Sequence, residues 1–326
     1  MVAPRSPQQP PTGPSFKGLF TAIVRWFDSA APQTEALSPA DKKVDWARII
    51  PFLGLHLGCL GIIWVGWSPV AIGVAVFLYG LRMFAITGFY HRYFSHKAFR
   101  TSRAAQFLFA MLGASAVQRG PLWWAGHHRH HHAHSDRPDD AHSPVQHGFL
   151  WSHAGWFLTE ANFRIRWEWV KDWARYPELR WLDRFDVVLP IVLALALFVA
   201  GHWLEIHRPG LGVTGAQLLV WGFAISTVVL YHATFSVNSL AHTWGWRRYA
   251  TRDDSRNNAL LAMLTLGEGW HNNHHHYPGA ARQGFYWWEI DLTYYLLKAL
   301  AHLGIIWDLK PVPVEIRNAR HLRRQH

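Results

Sequence analysis

Cysteine is almost missing from this 326-residue chain, which contains a single copy, Cys59. One thiol excludes a disulfide framework and any zinc or iron–sulfur site built from cysteines. Charged residues are also scarce, at 16%, while half of the residues are hydrophobic, which excludes a disordered chain. The 32 basic residues exceed the 21 acidic ones and leave a net charge of +11, which fits either nucleic acid or a membrane surface as partner.

Long apolar segments are the first feature that is present. They cover about 49–67, 69–89, 187–203 and 213–235, and each approaches the roughly 20 residues needed to cross a bilayer. Arg82 is the one charge inside them, and it is costly there unless it snorkels or faces protein. The pattern predicts an all-α integral membrane protein with four transmembrane helices in two hairpins.

The basic residues are distributed unevenly around these spans. Six precede the first span, thirteen lie in 91–185 and eleven follow residue 237, whereas the two short connections hold none and one. By the positive-inside rule, both termini and the stretches 91–185 and 237–311 are expected to face the cytosol. If the source is bacterial, the membrane would be the inner or plasma membrane. Because the basic residues follow the orientation of the spans in the membrane, the net positive charge is not evidence for a nucleic-acid partner.

The two ends of the chain differ from its middle. Residues 1–45 are rich in proline and predict a flexible tail, inside which an apolar stripe predicts a short amphipathic helix on the membrane surface. That stripe consists of Phe16, Leu19, Phe20, Ile23, Val24 and Phe27. Residues 46–311 form the predicted membrane domain, and 312–326 form a basic C-terminal tail.

Histidine is the compositional outlier, with 23 copies, and its spacing carries the functional argument. Positions i, i+3 and i+4 share one face of a helix, and two clusters have that spacing. A pair five residues apart needs a helix end or a distortion to converge. The clusters are His91 and His96, then His128, His131 and His132, then His271, His274 and His275, with His242 beside Asn238 as a fourth element. Nine imidazoles suit two metal ions, and imidazole binds zinc, copper, iron and nickel.

The order and spacing of these boxes resemble the membrane fatty-acid desaturases, specifically the acyl-CoA (stearoyl-CoA) desaturase-like branch, from about Trp46 to Pro311. The resemblance implies a helical cytosolic domain that caps the spans and carries a di-iron site. One Fe²⁺ would be bound by His91, His96, His128, His132 and His274. The other would be bound by His131, His242, His271 and His275, with a water held by Asn238. Zinc can replace iron in a purified sample, because imidazole accepts both ions.

The resemblance also implies roles for residues around the metals. Glu268, Asp140 and Glu160 are the expected carboxylate partners of the imidazoles. Gln118, Trp124 and Thr234 match the bend of the family's acyl tunnel. The chain departs from the family where basic residues meet the carrier: it has Thr159-Glu160-Ala161 and Gly126-His127 there. Other basic residues are the expected contacts, either for the carrier or for lipid headgroups at the interface, namely Arg119, Arg164, Arg166 and Lys171.

The implied reaction is insertion of a cis double bond, at Δ9, into a saturated acyl chain, with O2 as co-substrate and two external electrons. Acyl-CoA is the family's default substrate, and a glycerolipid-bound acyl chain is the rival. The chain lacks a His-Pro-Gly-Gly haem segment, so the electrons would come from cytochrome b5, ferredoxin or rubredoxin with a reductase. The alternatives are a histidine-box hydroxylase of acyl chains, alkanes or carotenoids, and a non-enzymatic metal transporter or buffer.

Overall fold

A computed structural model describes residues 23–30 and 42–319 of the chain. In this part of the chain, four helices are long and apolar enough to cross a membrane: Arg48–Val65, Pro69–Ser95, Val188–His207 and Gly215–His242. They confirm the predicted all-α membrane fold. The second and fourth spans continue six or seven residues beyond their predicted ends, because the polar histidine segments prolong the helices that the apolar runs begin.

Local signals fix where the spans start and stop. Asp45 accepts a hydrogen bond from the backbone N–H of Arg48 at the start of the first helix, Trp46–Gly58. Ser68 caps the second span in the same way through the N–H of Ala71. The sharp connection between the two spans requires Gly66, whose φ of +63° lies in the left-handed region that favours glycine. A capping box between Thr214 and Gln217 starts the fourth span.

The fourth span lies against each of the other three. Small residues allow this close approach, as is usual between membrane helices. A methyl group at Gly61 would lie 2.9 Å from a methyl of Val220, and one at Gly201 would lie 2.7 Å from the carbonyl oxygen of Thr214. The first span therefore packs on the fourth, although the connectivity pairs it with the second.

Arg82 faces protein and is buried. Its five N–H groups all find acceptors: the carbonyl oxygens of Leu78, Ser115 and Gly222 and the hydroxyls of Ser226 and Thr227, at 2.7–3.5 Å. Complete hydrogen bonding offsets the cost of placing a guanidinium at membrane depth. Arg82 thereby ties the second span to the fourth.

The polar stretches fold into a cap of short helices at one end of the spans. These helices are Arg103–Ala114, Pro121–His134, Pro144–His147, Pro177–Arg184, Ala259–Leu264, His271–His276, Leu292–His302 and Val314–Asn318. A π-helical turn, Trp151–Gly155, and the 3-10 turns Trp156–Leu158, Ala161–Phe163 and Trp167–Trp169 connect them. The two-residue strands Arg100–Thr101 and Ile306–Trp307 pair antiparallel and hold the two stretches together. The main core, which includes Tyr90, Phe94 and Leu122, lies under this cap.

The predicted surface helix falls partly outside the described residues, as do Phe16, Leu19 and Phe20. Residues 23–27 are helical, and Ile23, Val24 and Phe27 on this helix are exposed. The side chain of Arg25 is largely buried, and its guanidinium pairs with the carboxylate of Asp45 at 2.8 Å. The tails as domains and the contact with a membrane surface stay predictions. Residues 320–326 of the C-terminal tail also lie outside the described part.

Candidate metal centre and apolar cavity

The first histidine box lies on a π-helical segment, Ala85–Ser95, that continues the second span. A π-helix bonds residue i to i+5 and has wider turns than an α-helix, so residues five apart lie closer to one face. His91 and His96 therefore converge, with ring centroids 5.0 Å apart. This is the distortion that the five-residue spacing requires.

Ordinary helices present the other two boxes. Pro121–His134 begins at a proline, and the buried carboxylate of Asp183 accepts from the backbone N–H groups of Leu122 and Trp123 at 2.8 and 2.9 Å. The third box occupies the short helix His271–His276. The i, i+3, i+4 spacing then places the three histidines of each box on one side of its helix. His242 follows from the 3-10 turn that ends the fourth span.

The fold gathers these nine histidines into two groups. Within each group, one ring nitrogen per residue lies within 4.8 Å of the corresponding atom of every other member. The first group is His91, His96, His128, His132 and His274, and the second is His131, His242, His271 and His275. This division is the one that the family resemblance implies. His132 and His275, one from each group, stack with centroids 4.4 Å apart, so the two groups adjoin.

The donor atoms fit transition-metal ions. Nε2–Nε2 distances are 2.9 Å for His91–His274, His96–His128 and His132–His274. Metal–nitrogen bonds of roughly 2.0–2.1 Å at right angles would place neighbouring nitrogens about 3 Å apart. In the second group, Asp253 holds Nδ1 of His275, and the buried Nε2 of the same ring has no hydrogen-bond partner among the described residues. Such an orphaned nitrogen is expected where an ion completes the site.

Burial keeps most of these imidazoles neutral, as metal binding requires. It lowers the pKa of His96, His128, His132, His271 and His274 well below the usual value, and neighbouring histidines lower it further. At His131 burial also lowers the pKa, but the carboxylate of Asp140, together with those of Asp136 and Asp253, outweighs burial and the pKa is raised. A carboxylate in that position increases the basicity of a ligating imidazole.

Four carboxylates hold the second nitrogen of a histidine. Asp140 is 2.9 Å from Nδ1 of His131, Asp136 is 2.9 Å from Nδ1 of His242 and Asp253 is 2.7 Å from Nδ1 of His275. Glu268 contacts Nδ1 of His91. Each contact fixes the ring so that Nε2 points into its group. Asp140 and Glu268 thus lie where the sequence places them.

Glu160 does not lie among the histidines, contrary to expectation. Its carboxylate is 3.8 Å from Lys43, at the edge of the cap. Asp136 and Asp253, neither of which was predicted, contact imidazoles in the way expected of Glu160. Asp136 lies only four residues after His132, so its position in the sequence could have indicated this role. Asp253 is 22 residues from His275, and no local signal connects the two.

Arg92 links Glu268 to the rest of the cap. This fully buried guanidinium contacts Glu268 at 3.1 Å and Asp291 at 2.9 Å, and it donates to the carbonyl oxygen of Ala281. Gln283 donates to the other oxygen of Glu268 at 3.0 Å. Burial would raise the pKa of Glu268, but His91 and Arg92 lower it below its usual value, so the carboxylate is ionised.

An apolar cavity of about 550 Å³ reaches the histidines from the membrane side of the cap. Its volume falls in the range of small-molecule sites, roughly 300–1,000 Å³. Gln118, Trp124 and Thr234 all line it, and Gln118 Nε2 donates to Thr234 Oγ1 at 2.8 Å. Trp124 stacks on His128 with centroids 4.9 Å apart. All three predicted bend residues therefore line the cavity, and Trp124 also contacts the first histidine group.

Asn238 lines both this cavity and a smaller one of about 50 Å³ that also touches His91, His131 and His271. Its proposed water-holding role stays a prediction. His142 also lines the large cavity and packs on His131, with centroids 4.3 Å apart. His142 was not predicted to be near the site, because it lies in a turn and belongs to none of the histidine boxes.

The four predicted carrier contacts separate in the fold. Arg119 lines the cavity, pairs with Asp186 at 3.0 Å and stacks on Phe163. Arg164, Arg166 and Lys171 are not among the lining residues. The cavity instead has two arginines that the sequence argument did not single out, Arg25 and Arg48.

Arg48 has an unusual environment. Its side chain is 3% exposed, and none of its three guanidinium nitrogens makes a hydrogen bond with the described residues. It lies 3.6 Å from the Asp45 carboxylate and stacks 3.5 Å from the ring centre of Phe163. A buried guanidinium with free donors at a cavity can bind an anionic or ester oxygen.

Comparison with known proteins assigns the family. The fatty acid desaturase family model matches residues 66–307. An sn-1 stearoyl-lipid 9-desaturase of Anabaena variabilis is 36% identical over 82% of this chain and 94% of its own length. An sn-2 palmitoyl-lipid 9-desaturase of Nostoc sp. (strain 36) is 37% identical over 80% of this chain and 88% of its own. An acyl-CoA 5-desaturase of Anemone leveillei is 35% identical over 86% of both chains. The chain belongs to the fatty acid desaturase family and is an oxidoreductase that acts on fatty acyl substrates in the membrane.

Proposed function

We propose that this enzyme inserts a cis double bond at Δ9 of a saturated acyl chain that is esterified to a membrane glycerolipid. O2 and two external electrons are consumed: R–CH2–CH2–R′ + O2 + 2e⁻ + 2H⁺ gives R–CH=CH–R′ + 2H2O. The observation that carries the proposal is the apolar cavity, which ends at Trp124 and His128 beside the two histidine groups.

The two histidine groups would hold two ferrous ions. Their nine imidazoles are clustered and mostly neutral, and four of them are oriented by carboxylates. When bound, such ions supply with O2 an oxidant strong enough for an unactivated methylene, a reaction that no side chain can perform alone.

The protein's own residues would select the carbon. A methylene offers no hydrogen-bonding group, so the position of the double bond must depend on how far the chain enters the cavity and where it bends. Gln118 and Thr234 fix the wall at the bend through their hydrogen bond. Trp124, stacked on His128, would give the chain an apolar wall beside the first histidine group and exclude water there.

The lining of the cavity favours a lipid as acyl carrier. Ile191, Ala194 and Leu195 of the third span contribute to it, and Ile191 and Leu195 are exposed on the membrane-facing side. A chain still attached to a lipid could therefore enter sideways from the bilayer. Two of the relatives above are lipid 9-desaturases by name, which supports the same carrier and position.

Acyl-CoA is the second candidate carrier. Arg25, Arg48 and Arg119 line the cavity against two carboxylates, Asp45 and Asp186, and the surplus positive charge suits a phosphate. The acyl-CoA desaturase among the relatives supports this alternative.

We also propose that the histidine groups and both termini face the cytosol, because basic residues concentrate on the ends of the spans that carry the cap. A separate acidic carrier such as cytochrome b5, ferredoxin or rubredoxin would then deliver electrons to the basic cytosolic surface.

Lipid analysis of a desaturase-deficient host that expresses the chain tests the reaction. We expect Δ9-unsaturated chains in the glycerolipid fraction, with the bond located by fragmentation. An oxygenated product that retains ¹⁸O from ¹⁸O2 would establish a hydroxylase instead. Purified enzyme in lipid nanodiscs, offered stearoyl-lipid or stearoyl-CoA with a reconstituted electron donor, separates the two carriers. Turnover of the thioester alone would overturn the lipid assignment.

Metal content tests the ligands. His242→Ala should abolish turnover and lower iron below two per chain, whereas His207→Ala, at an exposed histidine, should retain both irons. Two irons and full activity in His242→Ala would remove His242 from the ligand set.

A further inference from the structure

A third cluster of metal-binding side chains lies outside the two histidine groups. His130 and His134 are four residues apart on the helix Pro121–His134, and Asp139 follows in the next turn. One donor atom from each of the three lies within 4.8 Å of the other two. None of them belongs to the proposed di-iron site or lines the acyl cavity.

The two rings are already arranged side by side. Their centroids are 4.4 Å apart with an interplanar angle of 27°, and the edge of Trp169 packs against both. Histidines at i and i+4 present adjacent nitrogens on one face, which is the arrangement that helices use to bind zinc. The two imidazole rings therefore need little rearrangement to bind an ion.

The tautomer of His134 is fixed by its own helix. Its Nδ1 lies 3.0 Å from the carbonyl oxygen of His130, so Nδ1 carries the proton and donates it. The lone pair is then on Nε2, which is 3.4 Å from the carboxylate of Asp139. A ligating histidine commonly donates its other N–H in this way.

The site is open to solvent on the side where Asp139 contributes its carboxylate. The Asp139 side chain is 55% exposed and that of His134 is 29% exposed, so an ion can reach them from solvent and keep water ligands.

From this geometry we propose that His130, His134 and Asp139 form a peripheral binding site for a divalent transition-metal ion such as Zn²⁺, completed by water. Two imidazoles and one carboxylate are a common donor set for zinc, with one position left for water. The bound ion would close the turn that follows the second box, and that turn holds Asp136 and Asp140 against His242 and His131.

Zinc titration of the iron-loaded, detergent-solubilised enzyme tests this site. Elemental analysis after desalting and isothermal titration calorimetry measure zinc and iron in the same samples. We expect one Zn²⁺ per chain in addition to two irons, and at least tenfold weaker zinc binding in His134→Ala and Asp139→Asn. His207→Ala, at an exposed histidine far along the chain, is the matched control and should bind zinc as the wild type does.

Equal zinc binding by wild type and both variants would overturn the proposal, as would zinc uptake that occurs only when iron is lost. If His134→Ala also loses iron, Asp139→Asn decides the matter, because it changes an exposed turn residue. The assay needs neither acyl substrate nor electron donor, so its failure would leave the proposed desaturation untouched.

Discussion

The backbone N–H of His96 donates to the carbonyl oxygen of His91, five residues earlier, at 3.3 Å. The hydroxyl of Ser95 donates to the carbonyl oxygen of Tyr90, also five residues earlier, at 2.9 Å. The first bond has the backbone pattern of the π-helical segment that ends the second span, and the second is a side-chain bond that braces the same turn. This wider turn brings together two imidazoles that a regular helix would separate, and both join the first histidine group.

The carboxylates that hold the histidine rings should tune metal affinity. Asp136→Asn and Asp253→Asn keep the shape but remove the charge that fixes Nδ1–H of His242 and His275. Changes of this kind typically weaken metal binding by roughly 10–100-fold. We expect faster loss of iron to a chelator, measured by elemental analysis. Glu160→Gln is the matched control, because Glu160 pairs with Lys43 at the edge of the cap, away from the histidines, and this variant should keep its iron. Wild-type retention in Asp136→Asn and Asp253→Asn would contradict the role.

The hydrogen bond between Gln118 and Thr234 should set regioselectivity. Gln118→Ala and Thr234→Ala widen the cavity at the bend, so the acyl chain can sit deeper or move more freely. We expect a shifted double-bond position or less product per O2 consumed, with unchanged iron content. Thr234→Val preserves the volume and removes only the hydroxyl, so it should keep the position more faithfully. Identical product profiles in both alanine variants would remove these residues from the bend.

Arg48 should contribute to substrate binding more than to chemistry. Its buried guanidinium has free donors beside the cavity, and hydrogen bonds to charged groups contribute about 1.5–3 kcal/mol. Arg48→Gln should therefore raise KM roughly tenfold or more while leaving kcat within a factor of two. Arg100→Gln, at an exposed pair with Asp308, serves as control and should match the wild type. A fall in kcat at constant KM would argue against carrier binding by Arg48.

Asp183 should make stability depend on pH. Its pKa is raised from 3.8 to about 7: burial is the main cause and Asp186 adds to it, while the N–H groups of Trp123 and Leu122 and the charge of Arg119 oppose the rise. The folded protein then holds a proton that the unfolded chain releases, so stability falls as the pH rises from about 4 to 7. We expect the thermal unfolding midpoint of the wild type to fall between pH 5 and pH 8. In Asp183→Asn this fall should be smaller by a few degrees.

The pH dependence is the test here, because the amide also loses one acceptor for the helix N–H groups at every pH. Asp308→Asn, at an exposed carboxylate, should keep the wild-type pH dependence. Equal pH dependence in wild type and Asp183→Asn would show that Asp183 is ionised throughout this range.

Much of the site was accessible from sequence because its signals are local. Box spacing on a helix predicts which imidazoles share a face, and apolar length predicts the spans. Contacts between distant segments carry no such signal. Asp253 reaches His275 only because the polypeptide folds back on itself. Glu160 was suggested by the family resemblance alone, and the fold places it beside Lys43 instead of beside a histidine. Of the four basic residues predicted to contact a carrier or headgroup, only Arg119 is among the residues that line the cavity, while Arg48, which carried no sequence signal, also lines it.

By itself, the sequence determined four membrane-spanning helices, the clustering of histidines in boxes and the excess of imidazole over carboxylate donors, since each follows from residue type and periodicity within one segment. Only the tertiary structure decided that the fourth span packs against the other three and that a π-helical segment aligns His91 with His96. It also decided which carboxylates hold which rings and which arginines border the cavity. Those features depend on how separate segments approach one another, and packing in three dimensions sets that approach.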